Sequence, residues 1–392
     1  MKVVMLVSGS VYSSLTHRAL SFARALAGLG HEVVLVAPMA DKYNNFQPVV
    51  VENVGNIKIV HPRQFVTSRR MLNLLPYVVS AALCVPRLRP DVVHIYKPTP
   101  ITIIGLLPKL LWRTPVLLDM DDLGSEVMAI EGCSAAEVAL VRWCERRAAR
   151  WADAIVVAST FLHRTYQAAY PGKSITCIAN GVDASSYRHI YESPAREEGP
   201  DLVVVSTLNR KNIVEPLIRA MPEITRRLRR RVRLRVVGDG NCLSYFKGLA
   251  ATLELVQQIE FAGWVERPNI AAYLKLGDVG YCYMPNDRTT VACSNMKVFE
   301  YLAAGVVPVV SDVGDLPAYV DYGRAGYVCP HDDSAALVDC LTHALADSTR
   351  IDRARRGGKL AAESYDWAVL TTELEAVYLT LARYGRGRRC GK

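Results

Sequence analysis

The sequence predicts an α/β protein of two domains, each built on a doubly wound parallel sheet. A chain of 392 residues is long for one hydrophobic core, because single cores stop growing at about 250–300 residues. Valine-rich runs alternate with amphipathic segments, which is typical of buried parallel strands joined by helices. A segment rich in glutamate and proline, 191–200, interrupts this alternation, and the pattern restarts after it. We therefore expect domains over 1–190 and 200–365, followed by a last segment over 366–392.

The opening of the chain has the order of a strand, a turn, a helix and a second strand. Lys2–Val7 is a continuous apolar run, and the short polar turn Ser8–Ser10 follows it. Thr16–Leu29 has the apolar spacing of an amphipathic helix, and Glu32–Ala37 supplies the next apolar run. This unit predicts the start of a doubly wound domain.

The turn after the first strand lacks the G-x-G-x-x-G pattern, so the fingerprint of a dinucleotide-binding dehydrogenase is missing. The helix after the turn begins with His17 and Arg18, and we expect both side chains at the surface.

Polar residues follow two further predicted strands of the first domain. Lys97 ends one of them, and Asp121 and Asp122 follow the apolar run Pro115–Met120. Ligands of open α/β sheets bind at the carboxyl ends of the strands, so these side chains are site candidates. Together with Asp119, the two carboxylates also allow a metal site. We expect none, because no recognised calcium or magnesium ligand pattern is present.

In the second half of the chain, a short predicted helix ends at Gly305 and leads into a valine-rich strand. Ser294 or Asn295 can cap its first turn, and Gly305 can adopt the left-handed conformation that ends it. The amino end of a helix is a natural seat for a diphosphate. Lys297 and Glu300 share a face near that end, and the carboxylate can accept hydrogen bonds from sugar hydroxyls. The alternative is a solvated ion pair on an ordinary surface helix.

The run K-V-F-E-Y-L-A-A-G over Lys297–Gly305 resembles the nucleotide-sugar signature of retaining glycosyltransferases of family 4, in the GT-B class. The resemblance covers nearly the whole chain. It implies two Rossmann-like domains facing each other across a cleft, and a C-terminal helix that crosses back to the first domain. Further matching passages are Glu145-Arg146, Ala152–Ser159, Asn180–Asp183, Gly238–Gly240, Phe261–Val265, Asp312–Pro317 and Asp366–Tyr378.

The resemblance also implies the roles of individual residues. Arg210 and Lys211 lie in the loop that holds the diphosphate, although the usual spacing between the two is compressed; the alternative is a pair of solvated loop charges. The expected catalytic residues are Asp121, Lys211 and Glu300. The expected donor-binding residues are Ser8, Gly9, Ser10, Arg210, Lys211, Gly238, Asp239, Trp264, Val265, Ser294, Asn295, Met296, Lys297 and Glu300.

Two positions depart from the family pattern. Ala292 occupies the place of a first glutamate that contacts the transferred sugar, and Asp287 or Ser294 is the candidate substitute. Asp121 stands where many relatives carry a histidine. The departure at Ala292 bears on the identity of the sugar and on activity, and the departure at Asp121 bears on how the acceptor hydroxyl is engaged.

The resemblance therefore implies a metal-independent retaining glycosyltransferase that needs no cofactor and uses a nucleoside-diphosphate sugar as donor. The acceptor would be a sugar, a lipid-linked molecule or a small molecule. Two alternatives remain open at this point. One is a non-catalytic nucleotide-sugar-binding subunit, suggested by Ala292 and Asp121. The other is a nucleotide-sugar epimerase, which needs a paired acid and base that the sequence does not reveal.

Composition restricts the partners and the compartment. The ten cysteines show no C-x-x-C spacing, which favours reduced thiols in a cytoplasmic protein. The N-terminus does not resemble a signal peptide, and no apolar run reaches the roughly 20 residues that span a bilayer.

The net charge of +9 comes partly from Arg226–Arg235 and Arg383–Lys392. Neither run has the interleaved aromatic residues of a nucleic-acid site, so an anionic membrane surface or simple solvation is expected. Pro62–Arg89, apolar between flanking arginines, is either an interfacial helix at the inner face of the membrane or a helix packed on the sheet.

Overall fold

The computed structural model describes residues 1–10, 13, 16–39, 50–63, 70–188, 190, 201–274 and 278–390. The chain divides into two compact units, Met1–Asn180 with Trp367–Lys392, and Gly181–Asp366. The first unit thus ends at Asn180, before the predicted domain end at 190. The predicted linker 191–200 lies outside the described residues.

The first unit is built on an eight-stranded sheet of order β3-β4-β2-β1-β5-β6-β7-β8. Neighbouring strands are parallel, apart from the antiparallel pair β3 and β4 at one edge. The central strands are buried along nearly their whole length, as their unbroken apolar sequences predict. The strands are β1 (Lys2–Leu6), β2 (Glu32–Val36), β3 (Val50–Val54), β4 (Ile57–His61), β5 (Val92–Tyr96), β6 (Val116–Met120), β7 (Ala154–Val157) and β8 (Ser174–Cys177).

Helices connect these strands and cover the sheet. The fifth helix begins with a capping box, in which Ser134 and Glu137 each bond the other's backbone N–H. The helices are α1 (His17–Gly28), α2 (Arg70–Arg87), α3 (Leu107–Trp112), α4 (Gly124–Ile130), α5 (Ala135–Trp151) and α6 (Thr160–Ala169), with a 3₁₀ turn over Ile103–Leu106. In the parts of the chain that the structure describes, no helix combines the length and apolarity needed to cross a bilayer.

The last helix of the chain, α14 (Trp367–Cys390), belongs to the first unit. Trp367 packs edge-on against Phe22 of α1, with ring centroids 5.0 Å apart. Further along, the hydroxyl of Tyr378 lies 2.5 Å from Nδ1 of His94 on β5. The first 180 residues therefore share their core with the end of the chain.

The second unit contains a six-stranded sheet of order β11-β10-β9-β12-β13-β14, in which all the strand pairs are parallel. Its strands are β9 (Leu202–Val205), β10 (Leu234–Val237), β11 (Ile259–Gly263), β12 (Val279–Cys282), β13 (Val307–Ser311) and β14 (Tyr327–Cys329). Its helices are α7 (Lys211–Leu228), α8 (Leu243–Thr252), α9 (Arg288–Ala292), α10 (Met296–Ala304), α11 (Leu316–Tyr319), α12 (Ser334–Ala346) and α13 (Arg350–Ser364), with 3₁₀ turns over Ala184–Tyr187, Arg267–Tyr273 and Asp321–Gly323.

Helix α10 confirms the local prediction. Asn295 is its N-cap and accepts a hydrogen bond from the backbone N–H of Lys297 at 3.3 Å. Gly305 ends the helix with a φ of 68°, in the left-handed region that glycine enters without steric cost. The chain then enters β13.

Candidate active site

Two loops of the second unit approach each other so closely that only glycine fits between them. A Cβ atom on Gly238, whose φ is +139°, would lie 1.8 Å from the carbonyl oxygen of Ser206. One on Gly240, with a φ of +156°, would lie 2.6 Å from the carbonyl carbon of Leu208. The backbone N–H of Leu208 also donates to the carbonyl oxygen of Asp239 at 2.9 Å. The loops after β9 and β10 thus form one backbone surface at the edge of the sheet where such folds bind ligands.

The amino end of α10 adjoins this surface. Lys297 Nζ donates to the hydroxyl of Ser206, the residue directly after β9, at 3.1 Å. One turn later, the hydroxyl of Tyr301 accepts a hydrogen bond from the backbone N–H of Val205 at 2.8 Å. The first turn of a helix has N–H groups without intrahelical acceptors and a partial positive charge. The structure therefore brings an ammonium group and a helix amino end to the carboxyl end of β9.

Ser294 precedes the N-cap residue and is buried. Its hydroxyl accepts a hydrogen bond from the hydroxyl of Tyr319 at 3.0 Å. The side chain of Ser294 thus contacts the interior of the second unit.

The predicted diphosphate residues Arg210 and Lys211 contact opposite sides of the loop after β9. Arg210 Nη2 lies 2.5 Å from Oδ2 of Asp287, which follows β12. Lys211 Nζ lies 4.1 Å from the ring centroid of Tyr245 on α8, which follows β10. Since β10 and β12 flank β9 on its two sides, the guanidinium is on the side of α9 and α10, and the ammonium is on the other.

Asp287 is held ionised by several donors. Its side chain caps α9 through the backbone N–H of Thr290 at 3.0 Å and accepts from the hydroxyl of Thr289 at 2.6 Å. Partial burial alone would raise the pKa of Asp287, but the hydrogen bonds from Arg210, Thr289 and Thr290 hold it well below its usual range. The carboxylate proposed as a substitute for the missing glutamate is therefore engaged with Arg210. Ala292, at the glutamate position itself, is fully buried.

Glu300 is buried and forms an ion pair with Arg267, from the 3₁₀ turn after β11. Burial raises the pKa of the Glu300 carboxyl, and the charges of Arg267 and Lys297 oppose that shift. The alternative of a solvated surface pair between Lys297 and Glu300 is wrong, because the carboxylate is buried and Lys297 donates to Ser206.

Sequence reasoning missed Arg267. The only signal was its place two residues after the passage Phe261–Val265, near the carboxyl end of a strand. In that passage the Trp264 side chain is 65 % exposed, and Val265 is half-buried.

In the first unit, Ser8, Gly9 and Ser10 follow β1 and are half-buried. The carbonyl oxygen of Ser10 accepts hydrogen bonds from the hydroxyl of Thr16 at 2.7 Å and from the backbone N–H of Ser13 at 2.9 Å. These bonds fasten the turn to the start of α1.

A lysine and two carboxylates meet at the carboxyl ends of β5 and β6. Lys97 Nζ lies 2.7 Å from Asp122 Oδ2 and 3.1 Å from Asp121 Oδ1, and the hydroxyl of Tyr96 donates to Asp121 Oδ2 at 2.5 Å. Burial would lower the pKa of Lys97, but Asp121, Tyr96 and Asp122 hold it well above its usual value. Burial raises the pKa of Asp121, which Lys97 opposes. This cluster is an acid–base group at the edge of the sheet where ligands bind.

The expectation that Arg18 lies at the surface is wrong. Its side chain is 1 % exposed, and Nε lies 3.0 Å from Oδ2 of Asp119, which is fully buried. Nη2 donates to the carbonyl oxygen of Ile178 at 2.9 Å, and Nη1 donates to that of Ala179 at 2.9 Å and to Oδ1 of Asn180 at 3.1 Å. Arg18 is therefore a buried structural residue that binds residues 178–180, where the segment Met1–Asn180 of this unit ends.

The three aspartates considered for a metal site thus have cationic partners: Arg18 for Asp119, and Lys97 for Asp121 and Asp122. Among the residues whose placement is described, no group of three or more His, Cys, Asp or Glu side chains is arranged to hold a metal ion.

Two family models match the chain, one in each half. The model described as "Glycosyl transferase 4-like domain" matches residues 15–181, and that of "Glycosyl transferases group 1" matches residues 199–347. Together they include every strand of both sheets except β1, and all of the site residues of the second unit described above.

Curated relatives and solved structures also resemble this chain. A phosphatidyl-myo-inositol mannosyltransferase of Mycobacterium tuberculosis is 29 % identical over 58 % of this chain, and the match spans 60 % of that relative's length. A GDP-mannose-dependent alpha-(1-6)-phosphatidylinositol monomannoside mannosyltransferase of Mycolicibacterium smegmatis is 24 % identical over 64 % of this chain and 66 % of its own length. The structure of a sucrose-phosphate synthase from Thermosynechococcus elongatus superposes with a TM-score of 0.75, covering 97 % of this chain and 99 % of that chain at 16 % identity. This likeness confirms the predicted fold class of two doubly wound α/β domains.

Proposed function

Because the chain belongs to the glycosyl transferases group 1 family and has its GT-B fold, we propose that it is a retaining glycosyltransferase. It moves a sugar from a nucleoside-diphosphate sugar to an acceptor hydroxyl without a metal ion. The acceptor is a sugar, a lipid-linked molecule or a small molecule, and the reaction takes place in the cytoplasm.

The observation that carries this proposal is the meeting of Lys297, Ser206 and the amino end of α10. The bond between the sugar and the diphosphate breaks with negative charge growing on the departing phosphate oxygen. An ammonium group and a helix amino end fixed beside that oxygen stabilise this charge without rearranging during the reaction. Loss of one such donor typically costs about 10²- to 10³-fold in rate.

Arg210 supplies a second cation on the same side of the loop. Its guanidinium now contacts Asp287, and a diphosphate offers the same paired oxygen acceptors with more charge. In our proposal Arg210 turns from Asp287 to the diphosphate when the donor binds. Lys211 joins it by leaving the ring of Tyr245, and Glu300 accepts hydrogen bonds from the ribose hydroxyls.

The first unit supplies the acceptor side. The turn Ser8–Ser10 and the cluster of Lys97 and Asp121 lie at the carboxyl edge of its sheet. A carboxylate held beside an ammonium group and a tyrosine hydroxyl can accept a hydrogen bond from an acceptor hydroxyl and orient its oxygen for attack on the sugar carbon.

Ala292 favours one second candidate, a subunit that binds nucleotide sugars without turnover. A buried methyl group stands where the family has a sugar-binding carboxylate, and the available Asp287 is paired with Arg210.

A donor screen followed by product analysis separates these functions. UDP-glucose, UDP-N-acetylglucosamine and GDP-mannose are tested by the shift in unfolding midpoint, since a ligand raises it only by binding the native state. The best donor is then incubated with sugar and lipid-linked acceptors. Release of nucleoside diphosphate with an α-linked product from an α-linked donor supports the proposal. Binding without turnover on every acceptor supports the subunit, and an altered sugar without acceptor supports an epimerase.

Glu300→Gln tests the ribose role by calorimetry with the same donor. Charge-assisted hydrogen bonds contribute about 1.5–3 kcal/mol each, so the dissociation constant should rise about 10- to 100-fold, with an unchanged circular dichroism spectrum. Glu260→Gln is the matched control, because that carboxylate, on β11, is exposed and pairs with Arg235 of β10. An unchanged affinity in Glu300→Gln would contradict the assignment.

A further inference from the structure

Helix α2 is apolar on both of its sides. One side faces the interior of the first unit and carries Tyr77, Ala81 and Val85, all of them buried. The other side faces solvent and carries Leu75, Val79 and Leu83, which are between 51 and 69 % exposed. A helix that is apolar all round normally lies inside a protein or in lipid.

Helix α3 extends the exposed apolar surface. It packs against α2, and its last three residues, Leu110, Leu111 and Trp112, are 58, 59 and 40 % exposed. We call these six side chains of α2 and α3 the apolar patch. Large exposed apolar side chains grouped on two packed helices are uncommon on soluble proteins and indicate a binding surface.

Basic residues border the apolar patch. The sequences of α2 and α3 contain no aspartate or glutamate. Arg87 follows Leu83 by one turn and is exposed, as is Arg113 directly after α3. The patch is therefore apolar at its centre and positive at two ends.

Helix α5 adds tryptophan and arginine next to α3. Lys109 Nζ on α3 donates to the carbonyl oxygen of Trp151, the last residue of α5, at 2.6 Å. Trp143 is also exposed, and the guanidinium of Arg147 lies 5.7 Å from its ring centroid. The exposed arginines of α5 are Arg142, Arg146, Arg147 and Arg150.

Two acidic residues close to this region, Asp153 and Glu145, are engaged by hydrogen-bond donors. Asp153 lies 2.7 Å from Lys109 Nζ and accepts from the backbone N–H of Val116. Glu145 accepts hydrogen bonds from the backbone N–H and the hydroxyl of Ser125. The exposed charge on α5 near the patch is therefore mainly positive.

We propose that the apolar patch and the arginines of α5 bind the surface of a phospholipid bilayer that contains anionic lipids. Leucine and valine side chains enter the boundary of the acyl chains. Tryptophan rings sit at the level of the headgroups, and arginines pair with lipid phosphates. Exposed leucine and valine, tryptophan and arginine, with no acidic residue in α2 or α3, favour a bilayer over a protein partner. The protein lies on the bilayer, because no helix in the described part of the chain is able to span it.

Vesicle flotation of the full-length protein, without substrates, tests this surface independently of catalysis. Vesicles of phosphatidylcholine alone are compared with vesicles that contain 30 mol% phosphatidylglycerol, on the order of the negative charge of a cytoplasmic leaflet. We expect binding to the anionic vesicles that falls at least tenfold in 0.5 M NaCl or without phosphatidylglycerol. Equal or absent binding to both compositions overturns the proposal.

Variants then locate the surface. Leu75→Ser with Leu83→Ser should lower the partition coefficient at least tenfold, and Arg146→Gln with Arg150→Gln should lower it about fivefold for each charge removed. Leu29→Ser is the matched control, an exposed leucine after α1, and it should bind like the unaltered protein. Circular dichroism and the unfolding midpoint verify that each variant folds.

The other occupant that the experiments distinguish is a second copy of this chain. If light scattering shows a dimer in the absence of vesicles, and Leu75→Ser with Leu83→Ser converts it to a monomer, the patch is an interface between copies of this chain. That outcome, or wild-type vesicle binding in both double variants, overturns the proposal.

Discussion

Arg18 and Asp119 form an ion pair in the interior of the first unit, with Arg18 Nε 3.0 Å from Oδ2 of Asp119. Both side chains are almost without exposure. The remaining guanidinium N–H groups donate to the carbonyl oxygens of Ile178 and Ala179 and to Asn180 Oδ1. One buried cation thus joins α1, β6 and the segment at which the chain leaves this unit.

Asp119→Asn should destabilise the protein by about 3–5 kcal/mol, because it leaves a buried guanidinium without its counter-charge. Urea unfolding, followed by the fluorescence of the tryptophans, measures the change. Glu223→Gln is the control, since it removes a carboxylate from an exposed pair with Arg226, and its midpoint should not move. A loss in Asp119→Asn no greater than in this control would contradict the prediction.

The same pair predicts a loss of stability in acid. Burial alone would raise the pKa of Asp119, but Arg18 and His94 hold it below its usual value. The unfolded state, with an ordinary aspartate pKa of about 3.9, then binds more protons than the native state as the pH falls. The contribution is fully present from pH 7 to about 5 and declines below about 4. Midpoints of the unaltered protein and of Asp119→Asn should therefore converge between pH 5 and pH 3; a constant difference would exclude this origin.

Gly238→Ala should disrupt the second unit. A methyl group would lie 1.8 Å from the carbonyl oxygen of Ser206, at a φ of +139°, so the loops after β9 and β10 must separate. We expect a loss of several kcal/mol and of donor binding, because steric and backbone strain add here. Gly248→Ala is the control: it lies within α8 with no atom within 4 Å of its Cβ position, and it should stabilise by about 0.5–1 kcal/mol. Equal midpoints in the two variants would contradict the close approach.

Lys297→Ala and Lys211→Ala compare the two lysines of the diphosphate site. Lys297 already donates to Ser206 beside α10, whereas Lys211 lies over the ring of Tyr245. We expect both variants to lower kcat/KM, with about 10²-fold or more for Lys297 and a smaller effect for Lys211. Steady-state kinetics with the best donor decides the order. A larger loss in Lys211→Ala would contradict the leading role proposed for Lys297.

Signals from neighbouring residues were sufficient to predict the helix, the strand and the turn that surround the site in the second unit. The caps of α10 depend on Asn295 and Gly305, which act within one turn of the helix; the sequence predicted Gly305 and left the N-cap open between Ser294 and Asn295. The strand β13 was predicted from its apolar run for the same reason. The turn after β10 was predicted from the resemblance of Gly238–Gly240 to the family pattern, and the close approach of two backbones is the physical reason for its glycines.

Distant partners could not be predicted. Arg18 contacts Asp119 and the residues near Asn180, which are 101 to 162 positions away, and no sequence pattern connects them. Arg267 meets Glu300 from another element for the same reason. Arg210 and Lys211 are neighbours in sequence, yet their side chains contact elements on opposite sides of β9. That divergence is decided by packing rather than by residue type.

The placement of α14 in the first unit has a consequence for how the protein is made. A ribosome delivers residues 1–180 before residues 181–366, and Trp367 and Tyr378, which complete the core of the first unit, emerge after both. The second unit, Gly181–Asp366, is fully synthesised before Trp367 and can fold first. The first unit is thus synthesised first but can complete its fold only after the second unit has been made. A nascent chain that stalls before Trp367 exposes the unfinished hydrophobic core of the first unit to chaperones.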